Sequence, residues 1–195
     1  MSLQKLHNWI DSDELRGAVT SRTPLLCLEC VDLSRFDWNW LTDTINSSEG
    51  NIYKRNGGFV VDDQRFLTDP ACITLNQTKA ALVSAFPPPT NDSTIHIYGS
   101  LSSGAETNGE HKDTADVFLL HGMGNTLVKT YDETGGQTNV RMQNGDILYI
   151  PRGIWHDTVP LSARFAFSIG LEWGKNWENK EIMSENSSLK SRERL

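Results

Sequence analysis

Hydrophobic residues change rhythm near the middle of this chain. Before about residue 90 they recur at helical spacing in "SDELRGAVT" (12–20), which follows an Asp/Ser cap, and in "FDWNWLTDTINSS" (36–48). Short strand patterns follow in "NIYKR" (51–55) and "GGFVVDD" (57–63), then a helix-like "NQTKAALVSAF" (76–86) that Pro87, Pro88 and Pro89 must end. From residue 94 the helical period disappears. Seven apolar or alternating segments succeed one another: "TIHIYGSL", "DVFLLHG", "NTLVKTYD", "TNVRMQ", "DILYIP", "WHDTVP" and "RFAFSIGLEW". Glycines at 122, 124, 135, 136, 145 and 153 punctuate them. Many short, evenly spaced strands predict a sandwich or barrel, with the double-sheet jelly roll a common solution.

The expected architecture is therefore mainly β. Residues 1–90 form a region of helices and short strands packed on the barrel, 91–175 form its core, and 176–195 form a polar, flexible tail. A chain of 195 residues suits one substantial core. No apolar run is long enough to span a bilayer, and the start lacks a basic segment followed by an apolar one, so the expected location is cytoplasmic. A net charge of −7 gives a phosphate backbone no general attraction, which disfavours nucleic acid as a partner. Cys27-Leu28-Glu29-Cys30 is formally a C-x-x-C. It lies inside the apolar run "PLLCLECVDL" (24–33) with no second pair or nearby histidines, and reads as two reduced cysteines on a buried strand. Trp38 and Trp40 read as packing aromatics.

Candidate chemistry sits in "NGEHKDTADVFLLHG" (108–122). His111 and Asp113 are two apart, so on an extended backbone they share a face. A lone H-x-D is common by chance and needs context. His156, in "NGDILYIPRGIWHDTVP", supplies it: a second imidazole from a later strand, delivered by the turns at Asn144-Gly145 and Pro151-Arg152-Gly153. Two imidazoles and one carboxylate match the facial triad of non-haem Fe(II) oxygenases, which leaves coordination positions open.

These two segments resemble the JmjC-type, cupin-fold 2-oxoglutarate oxygenases, in particular the cupin-like protein hydroxylases that include the ribosomal-protein oxygenases and asparaginyl hydroxylases. The resemblance covers roughly residues 95–173. It implies a double-stranded β-helix that binds Fe(II) through His111, Asp113 and His156 and chelates 2-oxoglutarate at the metal. The implied reaction couples decarboxylation of 2-oxoglutarate by O2 to oxidation of a protein side chain or small molecule. One position departs from the family. Where relatives place a Lys or Arg for the distal carboxylate of 2-oxoglutarate, this chain has Thr126, and the two residues that could supply the charge instead are Arg164 and Lys129. Arg164 is favoured for its planar fork, while the odd offset of Lys129 from Thr126 puts it on the opposite strand face. Asn108 stands where relatives place a Thr that contacts the co-substrate. Ser100 and Ser102 are candidates for the same cavity, His121 reads as a structural histidine that could face it, and Asp157 as an orienting partner for an imidazole or an exposed carboxylate. Trp173 reads as packing, and His7 and His96 receive no role. Other readings are a metal-binding cupin that holds or senses a small ligand, and a cupin enzyme that does not use 2-oxoglutarate. The helices before the barrel offer a surface for a homodimer.

Overall fold

The computed structural model describes residues 4–48, 52–55, 57–88, 92–105, 108–132 and 134–172. Helices dominate the first part: α1 (Gln4–Ile10), α2 (Asp13–Ser21), α3 (Trp38–Ser47) and, after two short 3-10 turns, α4 (Ile73–Ala85). Their starts follow local chemistry. The Ser12 hydroxyl accepts from the Leu15 N–H at 3.1 Å, and the Asp37 carboxylate accepts from the Trp40 N–H at 2.8 Å, satisfying donors that the first helical turn leaves open. Strands are β1 (Leu25–Cys27), β2 (Ile52–Arg55), β3 (Gly58–Val61), β4 (Ser93–Ser100), β5 (Ala115–Met123), β6 (Thr126–Tyr131), β7 (Gln137–Met142), β8 (Ile147–Ile150), β9 (Trp155–Pro160) and β10 (Arg164–Glu172).

They form two antiparallel sheets. The larger has seven strands in the order β1-β8-β5-β10-β4-β3-β2, and the smaller has β7-β6-β9. A bridge between His111 and His156 adds the start of a fourth strand beside β9. This is the expected jelly roll, two antiparallel sheets facing each other as a double-stranded β-helix.

Central strands β5 and β10 are buried on both faces, which explains their nearly unbroken apolar sequences. On their outer face Phe118, Leu120, Phe165 and Phe167 join Leu6, Trp9, Leu15, Leu41 and Leu75 from the helical region. Trp9 meets Phe118 edge-on at 6.2 Å, and Trp38 meets Phe165 at 5.6 Å. On the inner face a smaller cluster of Val117, Leu119, Leu148, Ile150 and Ala166 packs against Val128 and Met142 of the small sheet. The helices thus brace the large sheet from outside, while the space between the sheets holds the site.

Three expectations change in detail. The region before residue 91 does more than pack on the barrel, because β1, β2 and β3 extend the large sheet at both edges. The strand expected across 24–33 shrinks to Leu25–Cys27, which pairs with β8. Beyond it Glu29 turns into the left-handed region (φ 45) and gives its N–H to Asp146 Oδ1 at 2.8 Å. The Cys30 and Val31 N–H groups go to the Gly145 carbonyl at 2.7 and 3.1 Å, so Cys30 lies off the strand. Both cysteines are buried free thiols. Trp173 and the tail at 176–195 lie outside the described residues. Among the described residues no helix is long and apolar enough to cross a membrane.

Candidate active site

His111, Asp113 and His156 come together where the two sheets open. The two histidines face each other through their backbones: each N–H donates to the other's carbonyl at 2.9 Å. Register fixes the rest. His156 stands opposite Thr130 on β6, both inward-facing and buried, and the Gly153 N–H donates to the Asp113 carbonyl at 2.9 Å, tying the H-x-D segment to the turn before β9. Asp113 Oδ1 lies 3.6 Å from His111 Nε2, and its Oδ2 lies 3.4 Å from His156 Nε2.

The ring orientations are determined by groups that can only accept. His111 Nδ1 is 2.8 Å from the Gly109 carbonyl and His156 Nδ1 is 3.1 Å from the Ile154 carbonyl, so both Nδ1 atoms carry the proton. Each Nε2 is left with a lone pair directed at Asp113, the arrangement that a metal-binding imidazole requires. Burial pushes the His156 pKa below its usual value against the pull of Asp113, which favours the neutral ligand form. The turn that presents β9 is anchored by Asp116, a residue that sequence reading passed over. Its carboxylate accepts from the Arg152 N–H at 3.0 Å, from Arg152 Nη1 at 3.1 Å and from the Tyr149 hydroxyl at 3.3 Å. Arg22, just past α2, donates to the Arg152 carbonyl at 2.8 Å and so links the helical region to that turn.

From the triad an open cavity of about 450 Å³, counting its mouth, runs inward between Val117, Leu119 and Ile150 to Arg164. Arg164 is fully buried, and its Nη1 donates to the Tyr98 carbonyl at 3.2 Å. Burial lowers its pKa to about 10, so it remains a cation at neutral pH. Asn108 lines the same cavity, as do Thr158 and Ser168. Gly124, in the turn after β5, makes room for Arg164. At φ +81 it occupies a conformation that side chains avoid, and a Cβ there would lie 2.1 Å from the Ala163 carbonyl and 2.8 Å from Arg164 Cβ.

Other candidates divide cleanly. Lys129 is excluded from the cavity: it lies on the outer face of β6 and pairs with Asp157 at 3.3 Å, so strand parity carries it away from Thr126. Asp157 consequently orients no imidazole, a task done by backbone carbonyls. Thr126 is buried but spends its hydroxyl on His121 Nε2 at 2.9 Å. Ser100 is buried beside Arg164 in the β4–β10 register, whereas Ser102 is exposed. His96 pairs with Asp62 at 2.9 Å, and His7 is exposed.

Residues 125–179 match the JmjC domain family. That segment contains Thr126, His156 and Arg164 and begins after His111 and Asp113. The fold is similar to that of YcfD, a ribosomal oxygenase from Escherichia coli, with a TM-score of 0.56 and 19% identity over 91% of this chain and 56% of YcfD. The YcfD complex with cobalt and 2-oxoglutarate aligns at TM-score 0.53 and 18% identity, over 88% of this chain and 53% of that one. A Pseudomonas putida prolyl-4-hydroxylase aligns at TM-score 0.57 and 13% identity, over 80% of this chain and 95% of the hydroxylase. This chain therefore spans a little over half the length of YcfD. No curated protein matches it by sequence. With a JmjC domain match in its second half and this barrel as its described core, the chain is a double-stranded β-helix of the JmjC and cupin type.

Proposed function

We propose that this protein is an Fe(II)- and 2-oxoglutarate-dependent oxygenase that hydroxylates a protein side chain or a small molecule. One observation carries the reading: a single cavity has a two-histidine, one-carboxylate cluster at one end and a buried guanidinium at the other. The donor set fits the metal. Imidazole and carboxylate without thiolate suit Fe(II), and three ligands leave positions for a 2-oxo acid and dioxygen. Donors 3.4 and 3.6 Å apart admit an ion bonded at about 2.1 Å to each. The far end fits a carboxylate, since a guanidinium matches it with two parallel hydrogen bonds.

Bound iron and 2-oxoglutarate would supply the oxidising power by oxidative decarboxylation of the 2-oxo acid. The chain's own residues do the positioning. His111, Asp113 and His156 hold the ion, the Gly109 and Ile154 carbonyls keep each Nε2 aimed at it, and Arg164 draws the distal carboxylate to the base of the cavity. Val117, Leu119 and Ile150 wall the space between with apolar side chains. A ribosomal oxygenase seen with cobalt and 2-oxoglutarate, and a prolyl hydroxylase, both sharing this fold, support the reading.

The test is spectroscopic. Adding 2-oxoglutarate to the anaerobic Fe(II)-loaded protein should produce a visible metal-to-ligand charge-transfer band, and admitting O2 should convert 2-oxoglutarate to succinate. Iron-loaded wild type without that band would overturn the proposal. Tight zinc binding without 2-oxoglutarate turnover would instead leave a metal-binding cupin that holds a small ligand.

A further inference from the structure

Cys27 and Cys30 do not line the cavity, and the fold does not leave them as a strand would. On an extended strand, residues three apart point to opposite faces, which would keep the two sulfurs apart. Here β1 ends at Cys27, and Leu28 and Glu29 form a turn, with Glu29 in the left-handed region at φ 45. Such a turn brings its first and fourth Cα atoms within about 7 Å, close to the span of a disulfide. Both side chains consequently enter the same apolar cluster, the one that contains Leu6 and Leu15 of the helices. The turn is held in place from β8: Cys27 is the register partner of Ile147, the Glu29 N–H goes to Asp146, and the Cys30 N–H goes to the Gly145 carbonyl. Its tip reaches solvent at Leu28, and Cys27 keeps 9% exposure against 1% for Cys30, so a reagent meets Cys27 first.

We propose that Cys27 and Cys30 are a redox-active dithiol that closes reversibly into an intramolecular disulfide by exchange with a small disulfide such as oxidised glutathione. The Cys27 thiolate attacks one sulfur of that oxidant, forms a mixed disulfide and expels one glutathione thiolate. Cys30 then attacks Cys27 Sγ, forms the Cys27–Cys30 bond and expels the second. The two protons that the cysteines give up go to the two thiolates released, and two electrons pass to the oxidant. The order of attack follows from the surroundings. Hydrogen bonding to Cys30 holds the Cys27 thiol below its ordinary pKa, which favours the thiolate, whereas the same contact and burial push Cys30 up. Burial also pushes the third cysteine, Cys72, up to about 12, so it does not compete. The new bond clamps the turn that holds Gly145 and Asp146 at the entry to β8, the strand whose Ile150 lines the cavity.

The experiment incubates the folded full chain in glutathione buffers of increasing oxidised fraction. Samples are quenched with acid, alkylated in denaturant and mapped at the tryptic peptide 23–35, which contains both cysteines. In oxidising buffer that peptide should lose two hydrogens and accept no alkyl group. It should regain two alkylation sites after reduction, with Cys72 alkylated throughout. Cys30→Ser should accumulate a Cys27–glutathione mixed disulfide, and Cys27→Ser should react at Cys30 on the order of tenfold more slowly. A folded wild type that keeps both thiols in the most oxidising buffer would overturn the proposal, and so would a bond that forms only after unfolding in urea. Glutathione capture that is faster at Cys30 in Cys27→Ser than at Cys27 in Cys30→Ser would overturn the order of attack.

Discussion

The two ends of the cavity are built on opposite plans. At the mouth, chemistry is carried by side chains whose backbones are bonded to each other, and their orientation is fixed by carbonyls of the same short segments. His111 and Asp113 remain about a quarter to a third exposed there, so an ion and a substrate can reach them. At the base, Arg164 comes from β10, in register with Ser100 of β4, and is sealed from solvent. A metal site can be local because its ligands are few and strong. A buried cation has to be held by strand register across the barrel, in a low-dielectric setting where each hydrogen bond counts for more.

Substitutions can separate the two ends. The largest expected effect is at the mouth: Asp113→Ala or His156→Ala should lower Mn(II) or Fe(II) affinity by at least on the order of a hundredfold and abolish the charge-transfer band, read by metal titration. Next is the base, where Arg164→Met should weaken 2-oxoglutarate on the order of a hundredfold, with Mn(II) affinity unchanged. An equal loss of both would show that the ends are not independent. Gly124→Ala should destabilise the fold by about 1–3 kcal/mol in denaturant unfolding and weaken 2-oxoglutarate as well, because it combines backbone strain with displacement of Arg164.

A pH effect should follow from His121. Its pKa is depressed in the folded protein, so as pH falls below about 6.5 the unfolded chain takes up a proton that the folded one refuses. This contribution to stability is therefore intact above that pH and is lost toward acid, at up to about 1.4 kcal/mol per pH unit. Unfolding midpoints at pH 7.5 and 5.5 should differ less in His121→Asn than in wild type. The smallest effect belongs to the outer surface. Lys129→Ala removes a half-exposed ion pair and should change stability by less than about 1 kcal/mol and 2-oxoglutarate affinity not at all.

The same contrast explains what could be read from sequence. The mouth was legible because residue identity and short spacing define it: H-x-D shares a face, and the Pro151–Gly153 turn announces the second histidine. Parity along β6 was enough to turn Lys129 outward. The base was only half legible. Arg164 could be singled out by its planar fork and its place eight residues past His156, but β5 is buried on both faces, so nothing in "DVFLLHG" tells which of its residues look inward. Counting in twos from Val117 and Leu119, which line the cavity, gives the inward direction of His121. The short β1 illustrates a different limit. "PLLCLECVDL" has strand composition throughout, yet hydrogen bonds from residues 29–31 to Gly145 and Asp146, far along the chain, end the strand at Cys27. Asp116 was likewise hidden, because its partners Tyr149 and Arg152 are distant in sequence.

The paired backbones of His111 and His156 have a consequence for metal exchange. In zinc fingers the ion creates the fold, and removing it unfolds the chain. Here peptide hydrogen bonds between His111 and His156 hold the two histidine backbones side by side without calling on an ion. If the triad binds iron as proposed, stripping the ion with a chelator should leave the barrel folded, read by circular dichroism.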